Sequence, residues 1–107
     1  RGYQLLQQYK KAVDENYIDQ RTVQWYADQL FVSPGYLGEI VKKETGETAI
    51  KLIHRRIYLE ASFLLNYSQL SVKEISDQLN FDTPSHFSRF FKQFAGFAPT
   101  ALKKNIA

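Results

Sequence analysis

Between Pro84 and Ala95 the phenylalanines at 87, 90, 91 and 94 recur at helical spacing and take one face, which turns Ser85, His86, Ser88, Arg89, Lys92 and Gln93 to the other. A guanidinium, two hydroxyls, an imidazole, an ammonium and an amide on one helix face can read hydrogen-bond patterns. Arginine donates two hydrogen bonds to guanine O6 and N7, serine bonds several base edges, and histidine or glutamine donates or accepts. We expect the main base contact at Arg89, with Ser85, His86 and Ser88 as further base-contact candidates. His86 reads equally as a solvent-exposed residue of the cap region. Lys92 is assigned to phosphate, which positions a protein on a duplex without reading its sequence.

A second segment, 34–45, has the same design with weaker chemistry. Leu37, Ile40 and Val41 face a core and leave Gly35, Tyr36, Gly38, Glu39, Lys42 and Lys43 outward. Gly35, Tyr36, Gly38 and Glu39 are base-contact candidates here, and Lys42 and Lys43 are backbone candidates. Glutamate accepts from cytosine N4 but repels phosphate, so Glu39 selects a base at a cost in affinity, or is an ordinary solvated charge. Gly38 costs about 1 kcal/mol relative to alanine inside a helix. Close backbone approach to DNA and close helix packing are the two accounts of it.

Phosphate anchoring is expected from the amides that open helices near Val23 and Val72, assisted by the hydroxyls of Thr22, Ser71 and Thr83. Arg55, Lys73 and Lys103 are further backbone candidates, whereas Arg56 reads alternatively as a brace for the core. Trp25 and Tyr26 lie at core spacing and read as packing.

Other chemistries find little footing. The chain has no cysteine, which removes disulfides, thiolate metal sites and a cysteine nucleophile. His54 and His86 stand 32 residues apart without metal-ligand spacing, and there is no glycine-rich phosphate loop. We expect no enzyme, cofactor or metal. No apolar run approaches the roughly 20 residues that span a bilayer, so no membrane association is expected and a cytoplasmic location is. At 44% hydrophobic and 15% aromatic, the 107 residues suffice for a packed core. Arg1 at the start and the absence of methionine suggest a piece of a longer protein.

The elements that must position these side chains are helical throughout, with no sustained alternation of the strand type. Stop and start signals divide the chain into about seven helices, near 2–16, 22–30, 34–45, 48–66, 72–79, 84–95 and 99–104. Ser71 with Glu74 forms a capping box, and Pro34, Pro84 and Pro99 stand at first helical positions. Gly46 and Gly96 sit where helices end in a left-handed residue.

The chain also repeats itself. Val23–Leu30 matches Val72–Leu79 at an offset of 49, including an identical Asp-Gln-Leu, and residues 33–46 match 83–96 at an offset of 50. The second turn is therefore one residue longer. Each unit is a short helix, a tight turn and a longer helix, with Ala27 or Ser76 small enough for a close crossing, which is the helix-turn-helix pattern. We read 1–47 as the first subdomain, 48–66 as a linker helix of about 28 Å, and 67–107 as the second subdomain. Successive major-groove faces lie about 34–36 Å apart, which suits two such units entering neighbouring grooves.

These residues resemble the DNA-binding domain of the AraC/XylS family of bacterial transcription activators, over about residues 5–104. The most specific run is Phe81-x3-Ser85-x-Phe87-x-Arg89-x-Phe91-Lys92-x3-Gly96-x2-Pro99, supported by Tyr36-Leu37, Lys42-Lys43-Glu44-Thr45-Gly46 and Arg56-x4-Ala61-x2-Leu64-Leu65. The resemblance implies an all-α fold of two helix-turn-helix subdomains joined by a long helix, each placing its second helix in the major groove. It also implies a separate sensing or dimerisation domain. The sequence departs from the family pattern at Asn80, where glycine is usual, at Ser76 for alanine, and at Glu39 for arginine or another polar contact residue. The expected partners are double-stranded DNA of a promoter operator, RNA polymerase, and the sensing or dimerisation domain of the same chain. A second reading is a helical protein-interaction module with a degenerate DNA surface, supported by Glu39, the two glycines and a net charge of only +3.

Overall fold

The computed structural model describes residues 2–104; the outer ends of the first and third expected segments, residue 1 and residues 105–107, lie outside it. Among the described residues there are seven helices and no strand: α1 (Gly2–Asn16), α2 (Val23–Gln29), α3 (Pro34–Thr45), α4 (Ala49–Tyr67), α5 (Val72–Gln78), α6 (Pro84–Ala95) and α7 (Pro99–Lys104). The all-α expectation holds, with boundaries within a residue or so. The differences arise at caps, because Thr22 flanks α2 rather than beginning it, and α5 closes at Gln78 with Leu79 as its cap.

Local chemistry sets the helix ends. Thr22, Ser33, Ser71 and Thr83 are extended N-cap residues, each accepting a hydrogen bond from the amide three residues on. Glu74 returns the bond to the Ser71 amide at 2.8 Å, completing the expected capping box. Gly46 and Gly96 close α3 and α6 at φ 80° and 89°, where a Cβ would be strained.

Contacts divide the chain into two compact units, Arg1–Arg56 and Ile57–Ala107, and α4 contributes to both cores. In the first unit α1 and α2 pack on α3, around Tyr9, Tyr26, Leu37 and Val41, all fully buried. The Tyr9 ring meets Tyr26 edge-on at 5.6 Å, and its hydroxyl donates to the Ala49 carbonyl at 2.6 Å. The Tyr26 hydroxyl donates to the Gln20 carbonyl at 2.7 Å, and burial pushes its pKa up to about 12. Arg56 ends this unit by pairing with Asp14 at 2.8 Å and lying 4.3 Å over the Tyr17 ring, the bracing role rather than a free phosphate ligand.

In the second unit α6 packs on α5 and α7. The core is aromatic, with Phe87 and Phe91 fully buried and Phe81 bridging Phe87 and Phe90 at 5.2 and 5.4 Å. Tyr58 of α4 lies on Phe91 and Phe94, 5.2 and 4.8 Å away.

Candidate nucleic-acid interface

In the second unit the turn between α5 and α6 aims the polar face. Asn80 takes the left-handed conformation at φ 60°, the one glycine would otherwise supply, so its departure from the family pattern leaves the turn intact. The fully buried Ser76 donates its hydroxyl to the Thr83 carbonyl at 3.2 Å, tying α5 to the first turn of α6. With Phe87 and Phe91 inside, Ser85, His86, Arg89, Lys92 and Gln93 are exposed and Ser88 is half-buried. No carboxylate among the described residues engages Arg89 or Lys92. His86 is held differently: its Nδ1 lies 2.7 Å from an Asp82 carboxylate oxygen, its ring meets Phe81 edge-on at 5.2 Å, and its amide donates to the Thr83 hydroxyl at 3.0 Å. The hydrogen bond from His86 is the first cause that holds the Asp82 carboxyl below the usual carboxylate range.

In the first unit Ser33 caps α3, accepting from the Tyr36 amide at 3.1 Å. Leu37 and Val41 are buried, whereas Gly35, Tyr36, Glu39, Lys42 and Lys43 are exposed and Gly38 is half-buried. A Cβ built on Gly35 or Gly38 would meet nothing within 4 Å. Helix packing therefore does not account for Gly38. The turn before α3 contains Phe31, left-handed at φ 59° and 94% exposed. A bulky residue there is strained, and its ring gains no burial in return.

The structure sorts the backbone candidates. Thr22, Ser71 and Thr83 accept from amides, and each hydroxyl still has its own proton to donate to a phosphate oxygen. Val23 and Val72 open α2 and α5 directly after two of these caps. Arg55 is engaged by Glu47 through two N–H donors, at 2.5 and 2.6 Å, and that hydrogen bonding holds the glutamate's pKa down and the arginine's up. Its charge is largely answered within the protein. Lys73 pairs with Asp77 at 3.2 Å on an exposed surface, a bond that contributes at most about 1 kcal/mol and yields readily to phosphate. Lys103 donates to the Ser68 carbonyl at 3.1 Å.

Two residues that the sequence reading passed over stand in these turns. Phe31 lies opposite Asn80 in the repeat, so the left-handed position was there to be read. Asp82 is the residue by which the second turn exceeds the first: Val32 and Phe81 make equivalent amide bonds to Ala27 and Ser76, both at 3.0 Å, and the next residue is the cap Ser33 in one unit but Asp82 in the other.

A family model described as a helix-turn-helix domain matches residues 26–105. The chain belongs to the AraC-type helix-turn-helix family. It is 34% identical over 87 residues to the transcriptional regulatory protein YesN of Bacillus subtilis, covering 78% of this chain and 23% of that one. The C-terminal domain of AraT, a response regulator from Geobacillus stearothermophilus, superposes with a TM-score of 0.86 at 27% identity, over 94% of this chain and 84% of that one. The DNA-binding domain of AdpA, solved in complex with a target DNA, shares the fold with a TM-score of 0.81 at 22% identity, over 94% and 90% of the two chains. The chain spans about a quarter to a third of the length of the AraC-type curated relatives it matches first. Among the described residues no cluster of His, Asp and Glu could hold a metal ion, and no helix is long and apolar enough to cross a membrane.

Proposed function

We propose that this chain binds double-stranded DNA sequence-specifically as the DNA-binding part of a bacterial AraC-type transcription regulator, with α3 and α6 as the reading helices in successive major grooves. The observation that carries the reading is the face of α6, where Arg89 stands exposed and unengaged by carboxylate while Phe87 and Phe91 fix the opposite face in the core. A rigid helix with a free guanidinium is the arrangement that reads guanine O6 and N7. Ser85, His86 and Ser88 read neighbouring bases, Lys92 and the capped helix starts of α2 and α5 hold phosphate, and α3 approaches closely over Gly35 and Gly38. Tyr36 and Glu39 contact bases from α3, and Lys42 and Lys43 contact phosphate. The operator lies in a promoter, and RNA polymerase and a sensing or dimerisation domain complete the regulator, which works in the cytoplasm.

The interaction-module reading has exposed apolar side chains in its favour, the solvent-facing ring of Phe31 and, on α4, Leu59, Phe63 and Tyr67. Substituting Arg89 separates the two. Arg89→Ala lowers affinity for a selected duplex by about 1–3 kcal/mol and relaxes specificity at one base position, read by fluorescence anisotropy. Unchanged affinity and specificity would remove Arg89 from the reading face.

A further inference from the structure

The residue inserted into the second turn does not lengthen it idly: it supplies the carboxylate that holds the imidazole of the reading helix. Asp82 and His86 are one helical turn apart, the Oδ1 to Nδ1 distance is 2.7 Å, and Asp82 is 79% exposed at the side chain; its carboxylate also interacts with the backbone amides of Asp82 and Thr83, but the bond to His86 is the strongest of these. The ring has a second hold on Phe81, whose own ring is buried against Phe87 and Phe90. In the first unit the equivalent of His86 is Tyr36, and the inserted carboxylate has no counterpart.

We propose that Asp82 is a positioning residue that fixes His86 as a hydrogen-bond acceptor toward the major groove. An ionised carboxylate only accepts, so Nδ1 of the neutral ring must carry the proton and donate it to Asp82. The proton is then absent from Nε2, which keeps a lone pair. The base edges that complement an acceptor in the major groove are the exocyclic amines, adenine N6 and cytosine N4. Asp82 thereby sets the base class that His86 accepts, without touching DNA itself. This rests on the DNA reading above.

The test has two arms. In the free chain at about pH 8, above the ordinary histidine range, nitrogen NMR of His86 shows a protonated Nδ1 and a bare Nε2, and Asp82→Ala, which leaves no acceptor, shifts the ring toward the opposite tautomer. A protonated Nε2 in the parent overturns the proposal. In the second arm the parent, Asp82→Ala and His86→Ala each select from a random duplex library. The parent prefers adenine or cytosine by about threefold to tenfold at one position, and both variants lose that preference while keeping the others. A purely electrostatic role would instead raise affinity uniformly when the negative charge is removed. That uniform rise, or an unchanged preference in Asp82→Ala, overturns the positioning role with the DNA reading intact. Absence of library binding by the folded parent overturns the DNA reading itself, a separate outcome.

Discussion

Gly38 is a residue whose identity the packing of the fold does not explain. It lies inside α3, where alanine would be more stable by about 1 kcal/mol, and no atom within 4 Å would meet the added methyl. Gly38→Ala therefore raises the unfolding midpoint of the chain while lowering its affinity for duplex DNA, measured by thermal melting and anisotropy on one preparation. A variant that is more stable and binds equally well would show that the backbone of α3 does not closely approach its ligand. Tyr9 presents the opposite case, a hydroxyl that serves the fold alone. It is buried against the Ala49 carbonyl, and Tyr9→Phe costs about 1 kcal/mol in denaturant titration and leaves DNA binding unchanged. Arg55 illustrates what spacing alone does not reveal. Its sequence position suggests a phosphate ligand, but Glu47, eight residues earlier, folds back across the start of α4 to take its charge, and that pairing depends on tertiary geometry.

At the scale of elements, most of the fold was legible because its signals are local. The four N-caps, the prolines at first helical positions and the closing glycines mark helix ends through the backbone groups they satisfy or the dihedrals they permit, and neighbouring residues suffice to recognise them. The repeat exposed the two helix-turn-helix units, and Asn80, standing where glycine is usual in the family pattern, takes the left-handed conformation that its side chain tolerates. Phe31 does so too, although nothing about phenylalanine itself suggests positive φ; only its place opposite Asn80 in the repeat points to it, because the constraint comes from the turn that joins α2 to α3. Replacing it with the residue found at the equivalent place tests this. Phe31→Asn stabilises the first unit by up to about 1 kcal/mol through relief of backbone strain, measured by chemical denaturation. A destabilisation would mean that the exposed ring contributes to the fold. The candidate site was legible as a set of outward side chains on α3 and α6, but the hold of Asp82 on His86 was not, because it depends on a turn one residue longer than its repeat.

Across the whole molecule, charge and its titration bear on the function. Residues 1–47 carry six basic and seven acidic side chains, and residues 48–107 carry eight and four, so the halves stand at −1 and +4. Counted on the two compact units, Arg1–Arg56 carries nine basic and seven acidic side chains and Ile57–Ala107 five and four, so the basic surplus of the second half lies at the start of α4, in Lys51, Arg55 and Arg56, and does not favour either unit for phosphate. Stability follows pH through His54, which burial first, and then Arg21 and Lys51, push below the ordinary histidine value. The unfolded chain then takes up the proton before the folded one, so this contribution is complete above the unfolded value of about 6.5 and is lost as pH falls through the window beneath it. The unfolding midpoint should drop as pH falls below the unfolded histidine value of about 6.5 and drop less in His54→Gln. Duplex binding by the intact chain remains the central claim, and salt is its most direct probe. The measurement is an anisotropy titration with a random duplex pool at about 50 and 200 mM salt, where neutralising some four phosphates weakens binding roughly a hundredfold. That loss is the expected result. Absence of binding at the lower salt, or binding indifferent to salt, would contradict it.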